Sequence, residues 1–161
     1  DIILVEDSNS GYEFFENVAE NKSYKAISAG GKSNIYQLLQ EYNNKNVLVI
    51  ADGAAFGPEM DRVMKEIHFS KGKAIYLPES FEWLILKSDV MKDKTVEEIL
   101  DNPSDFIESK DYMSWERFFT ALLVDKTKDT YLKYSKSKLN DAYKNKKIQD
   151  KILQEVPEEL I

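Results

Sequence analysis

Val47-Leu48-Val49-Ile50-Ala51-Asp52 is the stretch on which the reading of this chain turns. Five apolar residues run without a polar interruption, three of them β-branched, and the run stops at an acid. A strand with no polar face is buried on both sides, which is the habit of parallel sheets covered by helices. Ile2-Ile3-Leu4-Val5 repeats the pattern and stops at Glu6-Asp7. Working outward, Tyr12–Glu20 places Phe14, Phe15 and Val18 at helical spacing, and Tyr24–Ser28 reads as a shorter strand. Asn34–Tyr42 puts Ile35, Leu38 and Leu39 on one helix face. Pro58 suits the first turn of a helix over Glu59–Phe69. Lys71-Gly72-Lys73 turns into a strand at Ala74–Leu77, and Pro78 precedes a helix over Glu79–Lys87. The alternation β-α-β-α-β-α-β-α over residues 1–88 predicts an α/β fold: a Rossmann-like parallel sheet of about four strands with helices on both faces.

Beyond residue 88 the pattern changes. Val96, Ile99 and Leu100 predict a short helix, and Asn102-Pro103 a break. Ser114 is placed to cap a helix through Trp115, Phe118, Phe119, Leu122 and Leu123. Leu132, Leu139, Tyr143, Ile148, Ile152 and Val156 suggest one long helix over Thr130–Val156. Residues 89–161 are therefore expected to form a helical extension packed on the α/β body, with Trp83, Trp115, Phe118 and Phe119 in the core.

Composition narrows the chemistry. With no cysteine there is no disulfide, thiol nucleophile or thiolate zinc site. The lone histidine, His68, ends a helix and reads as a surface residue. Reactive chemistry would have to rest on carboxylates with a hard cation. No apolar run approaches the ~20 residues of a membrane helix, and Glu6-Asp7 follows Ile2–Val5 too soon for a signal peptide. These features predict a cytoplasmic protein with no membrane partner. The chain opens at Asp1 with no Met, as one with a trimmed start or a piece of a longer polypeptide would, and in the second case an upstream or separate protein domain is an expected partner.

The net charge of −7 argues against a general nucleic-acid coat. The charge is uneven, however. Residues 126–151 hold nine Lys against Asp129, Asp141 and Asp150, a balance of +6, whereas residues 1–125 hold 13 basic and 23 acidic residues, a balance of −10. Tyr131, Tyr134 and Tyr143 are interleaved with those lysines. Such a stretch either binds phosphates and stacks bases or is a solvated amphipathic helix with its tyrosines turned to the body.

In open parallel sheets the ligand sits beyond the carboxyl ends of the strands. Glu6-Asp7 ends the first strand and Asp52 the third, while Glu79 and Glu82 follow the fourth. Were these strands neighbours, Glu6, Asp52 and Glu82 would share a rim. Their mutual repulsion would be relieved by a divalent cation, of which Mg²⁺ suits oxygen ligands best. Singly, these acids read more simply as helix caps or loop residues, except Asp52, which ends an apolar strand beside Gly53-Ala54-Ala55 with room for a ligand.

Ile2-Ile3-Leu4-Val5-Glu6 followed by a helix resembles the glutamate motif of the TOPRIM family. Val47–Asp52 with Gly57 resembles that family's Asp-x-Asp-x-x-Gly motif. Ala29-Gly30-Gly31-Lys32-Ser33-Asn34 and Glu79-Ser80-Phe81-Glu82-Trp83-Leu84 are similar to the Gly-rich loop and acidic helix of its overcoming-lysogenization-defect type. The resemblance covers residues 1–88 and implies Mg²⁺-dependent (or Mn²⁺-dependent) nuclease or nucleotidyl-transfer activity on DNA or RNA phosphodiesters. It casts Glu6 as general acid/base and Asp52 as metal ligand. Ala54 stands where the family's second Asp would be, so Asp7, Glu59 or Glu82 would have to replace it. The alternative implied is a degenerate TOPRIM-like module that binds nucleic acid or a protein partner without turnover. Separately, Ala26–Ser33 ends in Gly-Lys-Ser between a strand and a helix, in the manner of a P-loop with Ala at its first position. Gly30, Gly31, Lys32 and Ser33 are accordingly candidate phosphate contacts.

Overall fold

The computed structural model describes residues 1–53, 59–102, 115–158 and 160–161. Ala54, Gly57, Pro58, Pro103 and Ser114 lie outside the described residues, as do the side chain of Trp115 and the readings made on it. Four strands, β1 (Ile2–Val5), β2 (Lys25–Ser28), β3 (Val47–Ile50) and β4 (Lys73–Tyr76), pair in parallel in the order β2-β1-β3-β4. β1 and β3, the two runs apolar throughout, are the central pair and are buried along their whole length. The register sets Val5 opposite both Ser28 and Ile50, and Ile50 opposite Tyr76. All four strands therefore end at one level. From β1 the chain first moves out to β2, then crosses back to β3 on the other side of β1. The β1–β3 boundary is thus the topological switch point of the sheet.

Alternate residues of the central strands feed two apolar layers. Ile2, Leu4, Val47 and Val49 face Ile35 and Leu39 of α2 (Ile35–Glu41) and Val63 of α3 (Met60–Phe69). Ile3, Val5, Leu48 and Ile50 face the larger layer. There α1 (Ser10–Asn21) contributes Phe14, Phe15 and Val18, and α4 (Phe81–Lys87) contributes Phe81, Leu84 and Ile85. Phe14, Phe15 and Phe81 pack with ring centroids 5.1–6.2 Å apart. Full burial of each such ring stabilises by about 1.5–3 kcal/mol. The chain is thus an α/β protein with a four-stranded parallel sheet and helices on both faces, as its sequence predicts.

The same larger layer takes in Val96 of α5 (Lys94–Asp101), Phe119 and Leu123 of α6 (Trp115–Thr127), and Ile148 and Ile152 of α7 (Lys146–Leu153). One core is therefore shared across residue 88. The start of α4 differs from the predicted Glu79, because the Ser80 hydroxyl caps it by accepting from the Trp83 amide at 3.0 Å. Among the described residues no helix is long and apolar enough to cross a membrane.

The long helix expected over Thr130–Val156 does not form. Residues 128–140 run as a strap without helix, a 3₁₀ turn occupies Asp141–Lys144, and only Lys146–Leu153 is α-helical. Polar side chains explain the difference by offering the backbone other partners. Asn140 caps the 3₁₀ turn through Ala142 N, and Asn145 caps α7 through Lys147 N. The Asn140 amide also donates to the carbonyls of Tyr131 (2.8 Å) and Lys133 (3.2 Å). Thr127 Oγ1 accepts from the Tyr134 amide at 3.0 Å.

Candidate functional site at the strand-end rim

Beyond the last paired residues, Glu6 leaves β1 and Asp52 follows β3 across the switch point. The Glu6 amide continues the ladder by donating to Ile50 O at 3.0 Å. Its carboxylate closes the gap, with Oε2 accepting from the Asp52 amide at 3.0 Å. The Glu6 carboxylate is thus brought against the Asp52 backbone, and the parallel register of β1 and β3 is the reason. Beneath them lies a cavity of about 20 Å³, lined among others by Glu6, Asp7, Asp52, Phe81 and Leu84. That is room for about one water molecule.

Asp7 turns the other way, toward α1. Its Oδ1 accepts from the Asn9 amide at 3.2 Å, a loop-closing bond typical of Asp before a helix. Burial holds its carboxyl above the usual carboxylate range. The Asn9 amide and the Lys136 charge oppose that shift, and the Glu82 charge adds to it.

Glu82 is placed by the first turn of α4 and is 2% exposed. Its Oε1 accepts from the Tyr134 hydroxyl at 2.9 Å and lies 3.7 Å from the Lys136 ammonium. A buried carboxylate needs such partners, because desolvation without them costs several kcal/mol. Burial, followed by the neighbouring Glu82 charge, pushes the Tyr134 phenol far up, so it stays a donor at all ordinary pH. The strap that delivers Tyr134 and Lys136 is pinned to the start of α1. Ser10 Oγ donates to Ser135 O at 2.5 Å, the Ser10 amide donates to Lys136 O at 3.0 Å, and Glu13 Oε2 accepts from the Leu139 amide at 2.5 Å.

The remaining candidates fall outside this cluster. Glu79 is exposed, and Glu59 pairs with Arg62 at 2.5 Å. His68 sits exposed at the end of α3, its ring against Phe69. In the Gly-rich loop, Gly30 and Gly31 take positive φ angles of 69° and 140°, which glycine adopts at little cost. The Gly30 amide donates to Ser28 Oγ at 3.2 Å and the Gly31 amide to Glu6 O at 2.8 Å. Two of the four expected phosphate-facing amides are therefore engaged within the fold. Lys32 and Ser33 belong to a 3₁₀ turn over Lys32–Asn34, and the helix behind it has seven residues. This departs from a P-loop, in which the loop amides open directly into a long helix.

The divalent cation implied by the resemblance calls for several converging oxygens. Among the described residues no group of three or more His, Asp or Glu side chains is arranged to hold a metal ion. Glu6 and Asp52 meet, while Glu82 is bound to the strap and Asp7 to its own loop. The described residues do not fit a three-carboxylate centre. Tyr134 and Lys136 are the site residues that sequence reasoning missed. Their signal was the two-residue spacing of Leu132, Tyr134 and Lys136 inside a stretch read at helical period.

Fold and rim together define the class: a Rossmann-like α/β protein with Glu6 and Asp52 following the two strands at its switch point. Compared with protein-family models, curated proteins and solved structures, the chain finds no match in any of the three.

Proposed function

We propose that this chain is a TOPRIM-like module that binds nucleic acid in the cytoplasm without turning over its phosphodiesters. The observation that carries the reading is Glu82, a carboxylate of the rim that is buried and engaged by the Tyr134 hydroxyl and Lys136. With Ala54 at the second aspartate position, the resemblance leaves Asp52 as the one motif aspartate to hold a metal, beside Glu6 as general acid/base. The resemblance of residues 1–88 to TOPRIM and the +6 charge of residues 126–151 support nucleic acid as the ligand. A second reading, a Mg²⁺-dependent phosphodiester enzyme with Glu6 as general acid/base and Asp52 as metal ligand, is favoured by the Glu6–Asp52 contact.

End-labelled single- and double-stranded DNA and RNA, incubated with Mg²⁺ or Mn²⁺, separate the two. Wild type should retain the oligonucleotide and cleave no faster than Glu6→Gln. Metal-dependent cleavage that disappears in Glu6→Gln and Asp52→Ala would establish the enzyme instead.

A further inference from the structure

The strap presents two different sides. Leu132, Tyr134 and Leu139 are buried, whereas Lys133, Ser135, Ser137 and Lys138 are exposed and Tyr131 is 71% exposed. The Tyr131 ring is thus open to solvent beside the cations of Lys133 and Lys138. This side is also held rigid from behind. Asn140 binds the carbonyls of Tyr131 and Lys133, Ser10 binds those of Ser135 and Lys136, and Glu13 takes the Leu139 amide. An open depression of about 390 Å³ lies along this side, lined by Lys133, Ser135, Lys138, Leu139, Asn140 and Asp141. The acid in it, Asp141, is paired with Lys144 at 3.7 Å.

We propose that the outer side of residues 131–138 is a docking surface for single-stranded nucleic acid, with Tyr131 stacking on a base and Lys133 and Lys138 meeting phosphates. The inference rests on the nucleic-acid reading above and names its surface and strand class. Charge complementarity favours a polyanion, since residues 126–151 carry +6 on a body of −10. The exposed ring selects among polyanions: it offers a π-face to an unstacked base, which a duplex keeps inside its stack. A fixed, extended backbone presents ring and cations together, so little ordering is needed on binding.

The test is fluorescence anisotropy of the whole chain with labelled oligo-dT and oligo-U of about 12 nucleotides, a length within the usual single-strand site sizes. Tyr131→Ala should weaken binding by roughly tenfold, the scale of one lost stack. Lys133→Glu with Lys138→Glu should weaken it further and reduce the salt slope by about 2. The charge-matched control, Lys65→Glu with Lys71→Glu on exposed positions at and after α3, should retain most of the affinity and the full slope. Thermal melts of all variants should stay near wild type, because the substituted side chains are exposed. Oligonucleotide binding that ignores the strap substitutions would overturn this surface while leaving the nucleic-acid reading in place. No binding by wild type would overturn both. Strap-dependent binding of polyglutamate as tight as that of oligo-dT would mark the surface as one for acidic peptides and overturn the assignment to nucleic acid.

Discussion

Two halves of one rim hold carboxylates of the same charge and treat them differently. Over β1 and β3, Glu6 and Asp52 are half-buried, and the Asp52 backbone amide donates to the Glu6 carboxylate. Over α1 and α4, Glu82 is almost fully buried and meets a phenol and an ammonium delivered from 52 and 54 residues further along the chain. The first half is made by local register alone, because parallel neighbours that end level bring their next residues together. The second half needs the strap of residues 128–140 in place. Solvent remains available to Glu6 and Asp52, whereas Glu82 depends on protein partners. Position at a strand-end rim therefore does not by itself make an acid a ligand, since its other neighbours decide what it is free to do.

The comparison can be broken most easily at Glu82. Glu82→Ala should destabilise the fold by about 2–4 kcal/mol in urea denaturation, because it takes the charged acceptor from the buried Tyr134 hydroxyl and the opposite charge from beside Lys136. A loss below about 0.5 kcal/mol, the range of ordinary surface changes, would mean that the half over α4 is no more demanding than the other.

Asp7, between the halves, gives a smaller effect of opposite sign. Its folded carboxyl sits above its unfolded value, chiefly through burial. The folded state therefore holds this proton more tightly, and the associated stability is fully present below the unfolded value of about 3.9. It is lost as pH rises through the folded value. Asp7→Asn keeps an oxygen for the Asn9 amide and removes the charge. Melts across pH 4 to pH 8 should show the variant gaining on wild type as pH rises. A variant that falls behind at high pH would show that Lys136 attraction, not burial, dominates at Asp7.

Glu6→Gln should change least, within about 0.5 kcal/mol, because the amide oxygen can still accept from Asp52. A larger loss would show that the Glu6 charge itself holds the switch point together.

The parts of the fold that were legible share a cause. Val47–Ile50 and Ile2–Val5 are apolar on both sides because both sides are buried, so period and burial agree. Their acidic ends were legible as a rim for the same reason, and register then joined Glu6 to Asp52. The strap was not legible. Leu132, Leu139 and Tyr143 mimic a helical stripe, and the residues that prevent a helix act through partners remote in sequence: Ser10 and Glu13 on α1, and Glu82 on α4. Asn140 and Asn145 were the local signs, both poor helix residues and good caps. The Gly-rich loop was misleading in a related way. Gly-Lys-Ser gives a composition, whereas the bonds from Gly30 to Ser28 and from Gly31 to Glu6 depend on how β1 and β2 end.

The claim that the strap holds Glu82 is tested most directly by a double-mutant cycle of Glu82→Ala and Tyr134→Phe, each of which removes the hydrogen bond, followed by urea denaturation. The account predicts a coupling of about 1–2 kcal/mol, as for a buried hydrogen bond to a charged group. Effects that add with no coupling would contradict it.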